Sequence, residues 1–154
     1  MTEHRAIEAA EQAAAAMATA GMPRMPARVL MALLAAPTGG YTAADLRERL
    51  GVSAAAVSGA VRYLQTLHFI RRRSLPGHRR ERYEVVSDSW FGVMTANAPT
   101  YLRLAELIDA IRAAQDDPDA GAHAREMSDF LRFMARRMPE LVKEWEVERA
   151  AGSR

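Results

Sequence analysis

Thr42 to Phe69, TAADLRERLGVSAAAVSGAVRYLQTLHF, reads as two helices joined by a tight turn. Thr42 followed by Asp45 is a short-chain relative of the capping box and opens a helix through Leu50. Gly51 supplies a helix-ending turn, with Val52 as its apolar plug. Ser53 then caps a second helix running to about Phe69, whose inner stripe is Val57, Val61, Leu64 and Leu67. The spacing and turn chemistry are those of a helix–turn–helix. Ala54, Ala55, Ala56, Ser58 and Gly59 are small enough for the front of the second helix to enter a DNA major groove. Ser58 and Gly59 have an alternative use in close packing against the preceding helix.

Downstream, Ile70 to Ser74 (IRRRS) suits a strand, Leu75 to Arg79 (LPGHR) a turn, and Arg82 to Val86 (RYEVV) a returning strand. Two short strands with an arginine-bearing turn, directly after such a helix, make a wing. Arg71, Arg72 and Arg73 alternate faces in a strand, so at most two point the same way. One of them has Glu81 or Glu84 within reach across the hairpin.

Upstream, residues 4–20 are helical by propensity but carry only a thin stripe of Ile7, Ala10, Ala14 and Met17. Gly21-Met22-Pro23 ends that segment. Pro26 to Ala36 places Val29, Leu30, Leu33 and Leu34 on one helix face, and Pro37-Thr38-Gly39-Gly40 stops it. Beyond the wing, Ser87 to Pro99 reads as a linker containing Trp90, Phe91 and Met94. Two amphipathic helices follow, at 100–115 with Leu104, Leu107, Ile108 and Ile111, and at 123–149. The second carries Met127, Phe130, Leu131, Met134, Met138, Leu141, Val142 and Trp145, with Pro139 expected to kink or interrupt it. That stripe reads first as core or dimer interface. The fold expected is mainly α with a small two-stranded β wing. It divides into an N-terminal dimerisation helix (1–23), a winged helix–turn–helix lobe (24–87), and a linker with C-terminal dimerisation helices (88–154).

Charge is distributed unevenly. The 154 residues sum to +2, yet 62–82 hold seven arginines against Glu81 alone, while 83–154 are net acidic. Focused positive charge of this kind suits a polyanion. Arg62 on the second helix is placed for a guanine or phosphate, and Arg79 and Arg80 at the strand turn for DNA. Ser53 is an N-cap first, with a phosphate as a second partner for its hydroxyl or the adjacent N–H. His68 reads as a surface residue or a partner of the helix C-terminus rather than a sensor.

The residue inventory excludes much chemistry. There is no cysteine, and His4, His68, His78 and His123 show no metal-ligand spacing. No catalytic constellation, Gly-rich phosphate loop or cofactor motif is present, so no enzyme, metal or cofactor is expected. No long apolar run or signal-peptide pattern occurs, and the expected location is cytoplasmic, without membrane association.

The stretches PARVLMALL, TAADLRERLGVSAAAVSGAVRYLQTLHFIRRR and PGHRRERYEV, over roughly residues 24–86, resemble the MarR-type winged-helix regulators, and within them the GbsR/MarR-like branch. The resemblance implies that Ser53, Ala55, Ser58, Gly59 and Arg62 face double-stranded DNA and that Arg79 and Arg80, with Arg72 behind them, serve the wing. Wings of this type often carry Asp before the paired arginines, where this chain has His78. It implies a homodimer built from the terminal helices. It also implies an effector cleft, for which Trp90, Phe91, Met94, Phe130 and Met134 are candidates for a small hydrophobic ligand. The function so implied is a sequence-specific transcriptional regulator, a ligand-responsive repressor. A winged-helix protein-interaction module without DNA binding is the alternative, against which the clustered arginines argue.

Overall fold

The computed structural model describes residues 2–74, 77, 80–86, 89–114 and 116–152. It divides into two compact units, Met1–Ser89 and Trp90–Arg154.

The first unit comprises α1 (Thr2–Thr19), α2 (Arg24–Leu34), β1 (Tyr41–Thr42), α3 (Ala43–Leu50), α4 (Ala54–Thr66), β2 (Ile70–Arg73) and β3 (Arg82–Val85). Its core is built from α2, α3 and α4 around Val29, Leu30, Leu46, Val57 and Leu64, each almost fully buried. Ala27 and Ala60 permit close helix approach, and Ala14 of α1 is buried in the same cluster. Leu34 departs from the stripe read in the sequence and is 49% exposed, at the last position of α2.

The three strands form one antiparallel sheet in the order β1-β3-β2. Tyr41 pairs with Tyr83 and Thr42 with Arg82, while Ile70 pairs with Val85 and Arg73 with Arg82. The expected two-stranded wing therefore has a third strand at its root. Gly40 allows this approach. A Cβ there would lie 1.8 Å from the Tyr83 carbonyl oxygen, and φ is +70°, so only glycine fits.

The second unit comprises α5 (Ser89–Ala96), α6 (Ala98–Ala113) and α7 (Pro118–Gly152). The segment read as a linker is thus partly helical, with α5 ending just before Asn97. Pro99 lies in the first turn of α6, where a missing N–H removes no helical bond. α7 continues through Pro139 without interruption, contrary to the expected break. Proline there removes one internal hydrogen bond, and the rest of the long helix carries the geometry onward.

α6 and α7 pair through small side chains. Ala105 and Ile108 are buried on α6, and Ser128, Ala135 and Val142 on α7. The large apolar residues sit about a quarter-turn away on each helix. Leu104, Leu107 and Ile111, and Met127, Phe130, Leu141 and Trp145, are all at least 40% exposed. At the contact, Asp109 accepts from Arg132 Nη2 at 2.6 Å and from the Ser128 hydroxyl at 2.9 Å. The Arg132 guanidinium, then the Ser128 hydroxyl, hold the Asp109 carboxyl below its usual range.

Candidate nucleic-acid interface

The helix–turn–helix is fixed by three local devices. The capping box closes at α3, where Thr42 Oγ1 accepts from the Asp45 amide at 3.1 Å and Asp45 Oδ2 accepts from the Thr42 amide at 2.8 Å. That Thr42 amide is the main reason the Asp45 carboxyl titrates below its ordinary value. Gly51 sits at φ +63°. Its N–H donates to the Glu48 carbonyl while the Val52 N–H donates to that of Arg47, which is a Schellman motif. Ser53 Oγ then accepts from the Ala56 amide at 3.2 Å and opens α4.

α4 ends at Thr66 rather than near Phe69. His68, at φ +59°, is the left-handed residue of a second Schellman motif, with Phe69 N–H on the Leu64 carbonyl and His68 N–H on that of Gln65. A polar residue in the left-handed region gave no glycine signal, so the sequence reading ran the helix too far.

Val57, Ala60, Val61 and Leu64 face the core. On the opposite side Ser53, Ala54, Ala55, Ser58, Gly59 and Arg62 are all exposed. A Cβ on Gly59 would meet nothing within 4 Å, so Gly59 is not a packing glycine. Five of the residues expected at a DNA surface (Ser53, Ala55, Ser58, Gly59 and Arg62) therefore share one uncovered helix face.

The wing is less freely charged than the sequence suggested. Glu84, only 14% exposed, accepts from Arg71 Nε at 2.7 Å and Arg73 Nη1 at 3.2 Å, and Arg71 chiefly lowers its pKa. Arg72, on the other face, lies 3.0 Å from Glu81. Arg82 donates through Nε to the Gly39 carbonyl and through Nη2 to that of Gly40, at 3.1 and 2.9 Å. Four of the seven clustered arginines are thus engaged inside the lobe. Arg80 is exposed, and neither it nor Arg62 has a partner among the described residues. Arg79 lies outside the described residues.

The sequence reading missed an open cleft of about 390 Å³ beside α4, lined by Ala43 and Arg47 of α3, Ser58, Arg62 and Gln65 of α4, and Tyr83 of β3. A second, of about 420 Å³, opens between Thr42, Ala44, Arg80, Glu81 and Tyr83. Arg47 lies on the helix before α4 and Tyr83 on the far strand of the hairpin, and no local pattern brings them together beside α4. Among the described residues no cluster of His, Asp or Glu could hold a metal, and no helix is long and apolar enough to cross a membrane.

Of the effector-cleft candidates, the Trp90 and Met94 side chains lie outside the described residues. Phe91 is half-buried with the Arg149 guanidinium 5.2 Å from its ring centre. Phe130 is 58% exposed and Met134 half-buried on α7.

A sequence model of the MarR family matches residues 20–81, and one described as an MmpR5-like MarR family transcriptional regulator matches residues 88–148. The MarR family is what the two share. No curated protein matches the sequence. Among solved structures, one described as a transcriptional regulator is 20% identical and covers 95% of this chain and 99% of its own, with a TM-score of 0.78. That likeness concerns the fold. A MepR variant from a multidrug-resistant S. aureus clinical isolate is 16% identical, covers 78% of this chain and 85% of its own, and has a TM-score of 0.43. With one family matched in succession along both units of a winged-helix fold, the chain belongs to the MarR family of transcriptional regulators.

Proposed function

We propose that this regulator binds double-stranded operator DNA sequence-specifically as a homodimer and represses transcription until a small hydrophobic effector binds. The observation that supports the reading most strongly is the bare face of α4. Five small residues and one unpartnered arginine are exposed together on a helix whose start is capped, beside a wing bearing Arg80. Such a face fits a major groove sterically and supplies one long donor to base edges or phosphate. The contact set is Ser53, Ala55, Ser58, Gly59 and Arg62, with Arg79, Arg80 and Arg72 on the wing, Arg72 by exchanging Glu81 for phosphate.

Dimerisation is assigned to the terminal segments, 1–23 and 88–154. The exposed apolar stripes of α6 and α7 support it, because a monomer seldom leaves so much contiguous apolar surface in water. A two-fold dimer would read half-sites about one helical turn apart. The effector cleft is assigned to Trp90, Phe91, Met94, Phe130 and Met134, and the protein to the cytoplasm without enzymatic activity. The engaged arginines remove part of the charge argument against a protein-interaction module, so the decisive test is direct. Anisotropy of a labelled duplex from the protein's own upstream DNA, titrated at two salt concentrations, should show tight and salt-sensitive binding that Arg62→Ala abolishes. Absence of binding to that duplex and to genomic fragments would refute the proposal.

A further inference from the structure

These two clefts of the first unit share a wall made of Ala43, Ala44 and Tyr83, of which only Tyr83 carries a polar side chain. On one side lies the space bordered by the recognition helix, on the other the space bordered by Arg80. Tyr83 occupies the central strand, paired with Tyr41 on one edge and Arg72 on the other, and its backbone is packed against Gly40. Its ring is half-buried and its hydroxyl has no hydrogen-bond partner among the described residues. This is a rigidly mounted donor left without an acceptor.

The larger cleft has a distinct chemical character. Among the described residues its charged lining is Arg47 and Arg62, with no carboxylate, and its other polar groups are Ser58, Gln65 and Tyr83. Arg47 is exposed and, like Arg62, has no partner among the described residues. Cations and neutral donors around a concave space select an oxyanion with several acceptor oxygens. A duplex that enters on the α4 face and continues toward Arg80 carries its backbone past this wall.

We propose that the cleft between α3, α4 and β3 is a seat for a DNA backbone phosphate, with Arg47 as its cation and the Tyr83 hydroxyl as its fixed donor. The inference rests on the DNA-binding reading and deepens it. Arg47 and Tyr83 hold the strand between recognition helix and wing, and they position DNA without reading its sequence.

The test uses the intact protein and a short fluorescein-labelled duplex of arbitrary sequence over a series of potassium chloride concentrations. Arg47→Gln should lower the slope of log affinity against log salt by about one. Tyr83→Phe should weaken binding roughly tenfold with its slope unchanged, because a neutral hydrogen bond to phosphate is lost without a charge. Its melting temperature should match the wild type, since the ring remains. If the wild type binds and both variants bind identically to it, the seat is refuted while the DNA-binding reading stands. A wild type that binds no duplex overturns both. Weakening of Tyr83→Phe together with a lower melting temperature makes Tyr83 structural and refutes its role. Free inorganic phosphate presents the same oxyanion. If it raises the wild-type melting temperature at constant ionic strength, and not that of Arg47→Gln, the cleft belongs to a soluble anion and the proposal falls.

Discussion

Arg28 on α2 grips Glu11 on α1 through two parallel donors, Nε to Oε2 and Nη2 to Oε1, both at 2.8 Å. Nη2 also donates to the Leu50 carbonyl at 3.1 Å. One guanidinium thus ties α1 and α2 to the C-terminal end of α3, where a carbonyl lacks a helical donor. The pair is sheltered, with the Arg28 side chain 20% exposed. Arg28→Ala should cost about 2 kcal/mol, from lost charge-assisted bonds and a carbonyl left unpaired. Glu11→Gln should cost less than half of that, since one amide oxygen still accepts. Urea denaturation of the two variants checks the order.

His68 occupies a left-handed position that costs a side-chain-bearing residue roughly 1–2 kcal/mol. Its side chain is exposed. His68→Gly should therefore stabilise the first unit by about 0.5–1 kcal/mol, after the greater freedom of glycine in the unfolded chain is deducted. Thermal denaturation should show a rise of a few degrees. A fall would mean the imidazole makes a contact worth more than the backbone strain.

Gly40→Ala should behave in the opposite way. The added methyl would collide with the Tyr83 carbonyl, a backbone atom held by sheet pairing on both sides. Loss of β1 and displacement of the wing root should follow, at a cost above about 2 kcal/mol. Circular dichroism melts compared with Gly39→Ala separate the collision from left-handed strain alone, because Gly39 is left-handed but faces open space.

The arginines of the wing should sort into two groups in DNA titrations. Arg80→Ala should reduce the salt slope by about one, whereas Arg71→Ala and Arg73→Ala should each change it by less than about half of that. The arginine side of each pair on Glu84 is about half exposed or more, so loss of either arginine should change stability by at most about 1 kcal/mol. Equal slopes for all three variants would show that Glu84 releases its arginines on contact with DNA.

Acid should loosen the hairpin through Glu84. The Arg71 guanidinium foremost lowers its folded pKa below the ordinary glutamate value. Its contribution is therefore complete above about pH 5 and is lost as the pH falls toward and through the folded value. Glu84→Gln should be less stable than the wild type near neutrality, and the difference should shrink below about pH 4. Denaturation midpoints across that range measure it. A constant difference would assign the effect to packing.

Local signals made the helix–turn–helix legible. Thr42 with Asp45, Gly51, and Ser53 each act within four residues, and each formed the bond its spacing implies. β1 was not legible because Tyr41 and Thr42 make a strand only by pairing with residues about forty positions on. The sequence places Glu81 or Glu84 within reach of one of Arg71, Arg72 and Arg73, but the hairpin register, not the composition, decides that both Arg71 and Arg73 meet Glu84. α5 escaped because the helical spacing of Trp90, Phe91 and Met94 spans only about two turns, too short a stretch to stand out from a connecting segment. In α6 and α7, periodicity marked an apolar stripe correctly but could not say that the smaller residues beside it form the contact. Tyr83 and Arg47 had no signal at all, since the cleft they line exists only once three elements are assembled.

Glu84, which holds Arg71 and Arg73, would also shape how this regulator divides its time over a genome. Every guanidinium retained by Glu84 is one that does not displace a counterion from arbitrary DNA. Affinity for random sequence would fall, while the base-edge contacts proposed for α4 would be untouched. A genome offers random sites in vast excess over operators, so weakening the common background raises the fraction of molecules on the rare target. On the proposed contact set, an acidic residue inside a basic wing would act as a sieve on occupancy, shortening futile residence without strengthening a single specific contact.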